Sequence, residues 1–135
     1  VMVKLLILLI TLFSFYNMPA LASWHPLKKG GYDGNVQSYI DFNNVWRDND
    51  YIYYWTLLDY TKPEHETDTL SMKLYNRADC LSFKYEILIL LNYKKPMAQG
   101  ESQRETLKGG WYFPKKKSLL GRNLQSLCII TNIVK

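Results

Sequence analysis

The stretch "YIYYWTLLDY", Tyr51–Tyr60, leaves neither of its two faces polar. At the two-residue period of a strand, Tyr51, Tyr53, Trp55 and Leu57 fall on one side and Ile52, Tyr54, Leu58 and Tyr60 on the other. Its aromatic and β-branched content favours a strand. Apolar residues on both parities fit a central strand with a helix over one face and a loop or partner over the other. An exposed row of rings kept for a ligand fits too, which makes Tyr51, Tyr53, Tyr54 and Trp55 candidate interface residues.

On the N-terminal side, "VQSYID" (Val36–Asp41) alternates as a short half-buried strand, "RDND" reads as a turn, and the glycines and proline of "SWHPLKKGGYDGN" mark a loop. On the C-terminal side comes an acidic loop, "TKPEHETDT", and then "LSMKLY" (Leu70–Tyr75), a strand with one wet face. "NRAD" reads as a turn into Cys80. "FKYEILILLNY" then places Phe83, Tyr85, Ile87, Ile89, Leu91 and Tyr93 on one face. Such short consecutive strands, joined without room for crossover helices, predict an antiparallel meander. "KKPMAQGESQRETLKGG" is loop-rich with one edge strand around Met97 to Ser102, and "WYF" from Trp111 forms a last strand that Pro114 stops.

A helix closes the chain. Ser118 is its N-cap, and Leu120, Leu124, Leu127 and Cys128 share one face. At about ten residues it is marginal alone, and Gly121 weakens it by roughly 1 kcal/mol relative to alanine, so it must be held from outside. Cys80 and Cys128 are the only cysteines. In an exported chain they read as one disulfide, closing a loop of roughly 50 residues and stabilising by about 4 kcal/mol; two unpaired thiols are the alternative. The expected fold is α+β: an antiparallel sheet of about five to six strands with a C-terminal helix tethered across one face.

Export is read from the first residues. "VMVK" is a basic start, "LLILLITLFSF" an apolar run too short to span a bilayer, and "ALA" before Ser23 a small-residue cleavage site. Residues 1–22 are thus expected to be a signal peptide and 23–135 a single domain without a transmembrane anchor, in the periplasm or on the outer surface. The chain has a formal charge of +5, unevenly spread: Ser23–Tyr93 is net negative and Lys94–Lys135 strongly positive. Lys94, Lys95, Arg104, Lys108, Lys115, Lys116, Lys117 and Arg122 are therefore candidate binding residues for an acidic partner; lysines scattered for solubility are the plain alternative.

No catalytic or metal site is expected. His25 and His65 lie in separate loops without ligand spacing. The carboxylate pairs Asp48 with Asp50 and Glu64 with Glu66 sit in turns beside basic residues, and "GYDGN" lacks the strand and lysine of a phosphate loop. No cofactor is implied, and export removes nucleic acid as a partner.

Trp24, "YID" (Tyr39–Asp41), "YYWTLLDYTKP" (Tyr53–Pro63), "SMKLYNRADC" (Ser71–Cys80), "NYKKPMAQGE" (Asn92–Glu101) and the spacing Trp111, Pro114, Ser118 before the cysteine-bearing helix together resemble the surface-adhesin protein E family of Gram-negative bacteria. The "PKKKS" run departs from the family's shorter approach to that helix. The resemblance implies a curved antiparallel sheet with a disulfide-tethered C-terminal helix. It also implies a surface role, binding host matrix or plasma proteins such as laminin and vitronectin. Two readings follow: a noncatalytic adhesin-like module whose basic C-terminal half meets a host glycoprotein or an anionic polysaccharide, and a periplasmic inhibitor or housekeeping subunit using the aromatic strand as a protein interface or homodimer seam.

Overall fold

The computed structural model describes residues 23–27, 29–30, 34–63 and 67–133. The expected signal segment, His65 and the Glu64 and Glu66 pair lie outside the described residues. The strands in chain order are β1 (Trp24–Pro26), β2 (Val36–Asp41), β3 (Trp46–Asp48), β4 (Tyr51–Tyr60), β5 (Ser71–Asp79), β6 (Lys84–Tyr93) and β7 (Ser102–Arg104), followed by the helix α1 (Leu119–Ile133). They build one antiparallel sheet in the order β1-β2-β4-β5-β6-β7. β3 pairs with the start of β4, on the edge that β2 takes further along. Between them Asp41 caps a 3-10 turn, its carboxylate accepting from the Asn43 amide at 3.2 Å and from Asn44 Nδ2 at 2.6 Å.

β4 is central, as its two apolar faces require. On its inner face Ile52, Tyr54, Thr56 and Leu58 oppose Ala78, Asn76, Leu74 and Met72 of β5. Helix α1 covers this side: Leu124 and Leu127 are buried with Ile40, Ile52, Tyr54, Ala78 and Tyr85, and Leu119 packs on Val36, Leu58 and Leu74. Two hydrogen bonds run through a polar seam in the core, Ser38 Oγ to Asn123 Oδ1 at 3.0 Å and Asn76 Nδ2 to Thr56 Oγ1 at 3.1 Å, while Asn123 Nδ2 is buried without a partner. Burial pushes the phenols of Tyr54 and Tyr85 up, Tyr85 to about 12. Cys80 and Cys128 are bonded, their Cα atoms 5.7 Å apart.

The helix begins where expected. Ser118 Oγ accepts from the Gly121 amide at 3.1 Å and donates to the Lys115 carbonyl at 2.7 Å. A Cβ on Gly121 would lie 2.0 Å from that same carbonyl oxygen, so glycine is there for a close backbone approach. The helix is longer than the sequence suggests. It runs past Cys128 to Ile133, and in this last stretch Thr131 Oγ1 donates back to the Leu127 carbonyl at 2.8 Å.

Other expectations shift. β5 continues through "NRAD", because Asn76 finds its partners inside the core and Arg77 pairs with Glu86 across the sheet. The turn is Cys80–Phe83, built on Asp79, whose carboxylate accepts from the Leu81 and Ser82 amides at 3.0 and 3.1 Å and is held below its ordinary value chiefly by the Ser82 bond. A bulge at Leu88 splits the single apolar face read on β6: Tyr85 and Ile87 point to the helix, while Ile89, Leu91 and Tyr93 pair with outward residues of β5. The late edge strand is Ser102–Arg104, because Met97 and Ala98 take left-handed backbone conformations in a 3-10 turn. "WYF" contributes one bridge, Tyr112 to Tyr85. β1 and β3 form within segments read as loop and turn.

Candidate functional site: the sheet face opposite the helix

The outward residues of β4 and its neighbours are aromatic and cationic. Trp46 of β3 stacks on Tyr53 with ring centres 4.2 Å apart and planes at 8°, and its Nε1 donates to the Tyr75 hydroxyl at 3.0 Å. Tyr75 lies against Trp55 at 4.9 Å. Lys73 sits between Trp55 and Trp24, its Nζ 4.7 and 5.8 Å from their ring centres. Toward the other end, the Arg77 guanidinium lies 5.0 Å from the Tyr51 ring and 4.8 Å from Trp111, and Lys84 Nζ 4.4 Å from Trp111. Alternation along β1, β3, β4, β5 and β6 puts the strand-borne side chains on one side, Trp111 joins them from the segment before Tyr112, and register brings them abreast: Trp46 opposite Tyr53, Trp55 opposite Tyr75, Tyr53 opposite Arg77.

The face is pre-arranged. Ring stacking and cation–π contacts fix the aromatic planes and hold the cations above them. Arg77 Nη2 donates to Glu86 Oε2. Burial works against the Arg77 charge, but the bonds to Glu86 and Tyr53 outweigh it and raise its pKa above the ordinary value. At the far end of β4 the face is closed. Ser71 Oγ donates to the Lys95 carbonyl at 2.6 Å, and the Met97 and Ala98 amides donate to Asp59 Oδ1 and Ser71 Oγ at 2.7 and 2.9 Å. That loop packs against β4 and β5, and Leu57 beneath is 0% exposed. Rings remain accessible from Trp55 onward, with Trp46 50% exposed.

Of the aromatic candidates, Tyr51, Tyr53 and Trp55 lie on this face, whereas Tyr54 points the other way into the core. The basic candidates do not gather. Lys94 and Lys95 follow the end of β6 and line a groove of about 610 Å³ with Asp68, Glu101 and Glu105. Arg104 is on the edge strand β7, and Lys108 is exposed in the segment after it. Lys115, Lys116 and Lys117 precede the helix at the opposite end of β6, with Lys116 Nζ 5.9 Å from the Phe83 ring. Arg122 turns to β1's side of the helix, donating to the Lys29 carbonyl at 3.1 Å. The cations that do join the rings, Lys73, Arg77 and Lys84, come from the half of the chain that is net negative. A signal for the first two was present: Lys73, Tyr75 and Arg77 keep the two-residue spacing of one strand face. Among the described residues, no group of three or more histidine, cysteine or acidic side chains could hold a metal ion.

Sheet, tethered helix and uncovered face together define the class: a small disulfide-bonded α+β domain with one sheet face left open. The family is equally definite, for the chain belongs to the surface-adhesin protein E family, whose model matches residues 24–129. Solved structures of Haemophilus influenzae protein E share the fold. One is 18% identical with a TM-score of 0.60, covering 82% of this chain and 87% of that one. A second crystal form is 16% identical with a TM-score of 0.61, covering 83% and 94%. Protein E from a non-typeable strain is 17% identical with a TM-score of 0.58, covering 82% and 80%. No curated protein matches the chain in sequence. No helix among the described residues is long and apolar enough to cross a membrane.

Proposed function

We propose that this domain is a noncatalytic adhesin-type binding module of the bacterial envelope that engages a host matrix or plasma glycoprotein, such as laminin or vitronectin, through its aromatic and cationic sheet face. One observation carries the reading: the unbroken run Trp24, Lys73, Trp55, Tyr75, Tyr53, Trp46 on the face the helix leaves uncovered. Tryptophan, tyrosine and arginine are the side chains that dominate binding energy at protein interfaces, and rings fixed by stacking lose little entropy on docking. Family membership supports the surface role. The dispersal of Lys94, Lys95, Arg104, Lys108, Lys115–Lys117 and Arg122 argues for moving the contact from the basic C-terminal half to this face.

The test is binding of oxidised residues 23–135 to immobilised laminin and vitronectin. Trp55→Ala and Lys73→Ala are expected to weaken it at least tenfold, the size of a hot-spot loss, while Lys94→Ser with Lys95→Ser leaves it within twofold. Binding indifferent to Trp55 and Lys73 defeats the proposal. Protease treatment of intact cells checks display, because a domain confined to the periplasm survives it.

A further inference from the structure

The end of the sheet where the β5–β6 turn meets the approach to the helix combines exposed apolar side chains with a lysine cluster. Tyr112 bridges Tyr85, its amide and carbonyl bonded to the Tyr85 backbone at 2.8 and 3.0 Å. The segment that follows therefore runs antiparallel to the start of β6, toward the turn. Lys116 confirms its path by sitting over Phe83. Leu81 at the turn is 97% exposed, and Phe113 is 71% exposed. Lys115, Lys116 and Lys117 are all exposed on the segment that follows Phe113. The carboxylates nearby are already engaged: Asp79 by the turn's amides, and Glu86 by Arg77 and the Gly110 amide.

Large apolar side chains standing in water beside a lysine cluster match a surface that is apolar beneath and anionic on top. We infer that this tip docks on an anionic lipid bilayer, with Leu81 and Phe113 entering the headgroup–acyl boundary and Lys115–Lys117 lying among the phosphates. Either contribution alone gives weak, reversible attachment; the two together are what stable interfacial binding needs. The three lysines supply the charge match, each adding attraction to an anionic leaflet that salt screens. The tip adjoins the Arg77, Lys84 and Trp111 end of the aromatic sheet face, so the two proposed contacts are told apart by variants that touch only one of them.

Sedimentation of oxidised residues 23–135 with phosphatidylcholine vesicles, and with the same vesicles containing phosphatidylglycerol, tests this. Binding is expected only to the anionic vesicles, and to fall as salt rises from about 50 to 500 mM. Replacing Lys115, Lys116 and Lys117 together with serine is expected to weaken it about a hundredfold. Leu81→Ser with Phe113→Ser, both exposed positions, is expected to abolish the salt-resistant remainder. Trp55→Ala is the control: it disables the proposed glycoprotein face and leaves vesicle binding unchanged, so the two proposals fail separately. Equal binding to both vesicle types, binding to neither, or binding that survives the lysine replacement overturns docking. Loss with the lysines but not with Leu81 and Phe113 overturns insertion.

Discussion

Gly121 lies in the first turn of α1, where helix propensity alone makes alanine better by about 1 kcal/mol. The Lys115 carbonyl reverses that expectation, because a Cβ would sit 2.0 Å from its oxygen and the Ser118 cap that holds this turn would have to shift. Gly121→Ala is expected to destabilise by about 1–3 kcal/mol, the range of steric overpacking; urea unfolding gives the sign directly, and a gain in stability would show that the turn can relax. Tyr85 offers a second measurement at this scale. Burial pushes its phenol up to about 12, against about 10 in an unfolded chain. The unfolded state therefore releases the proton first, so the stability this group contributes is complete below about pH 10 and is lost as pH rises to about 12. Tyr54 shifts in the same direction for the same reason. Thermal unfolding followed from neutral to strongly alkaline pH should show the midpoint falling across that window, and falling less in Tyr85→Phe.

At the scale of elements, α1 has Leu124 and Leu127 buried on the sheet and one covalent tie, Cys80 to Cys128, across a sequence separation of 48. Closing such a loop restricts the unfolded chain by about 4 kcal/mol, a large share of the total for a domain this size. Cys80→Ser with Cys128→Ser is expected to lower stability by that order, and hydrogen exchange should show α1 losing protection before the central strands do. The Ser118 cap and the two-sided β4 were legible in the sequence because each rests on local spacing, and the tie because the chain holds only two cysteines. What escaped it depends on neighbours supplied by the fold. The bulge at Leu88 hides inside "EILILL", where apolar residues fall on both parities and an inserted residue leaves the pattern unchanged. "NRAD" looks like a turn until Asn76 has Thr56, and Arg77 has Glu86, beside it. β3 is three residues long and is a strand only because β4 lies alongside. The face that carries the proposed function was half legible: its rings stood together in one segment, but its cations are scattered over β5 and β6 and become a set only through register.

For the molecule as a whole, the two faces of one sheet divide the work, and the division can be measured. The inner face holds the buried side chains that the fold rests on, so Leu124→Ala, at a fully buried position against Ile52 and Tyr85, is expected to destabilise by about 2–5 kcal/mol while the protein still folded binds as before. Trp46 is half exposed and held by a stack on Tyr53 and one hydrogen bond to Tyr75. Its loss should lower stability by about 1–3 kcal/mol, the sum of an aromatic pair and a neutral hydrogen bond and less than the core truncation costs. The same Trp46→Ala change removes the most exposed ring of the proposed binding face and should weaken partner binding by more than tenfold. Unfolding and binding measured on both variants must therefore rank them in opposite orders. If Leu124→Ala and Trp46→Ala fall together on both scales, the two faces are one cooperative unit, and the outer rings belong to the core's stability and not to recognition.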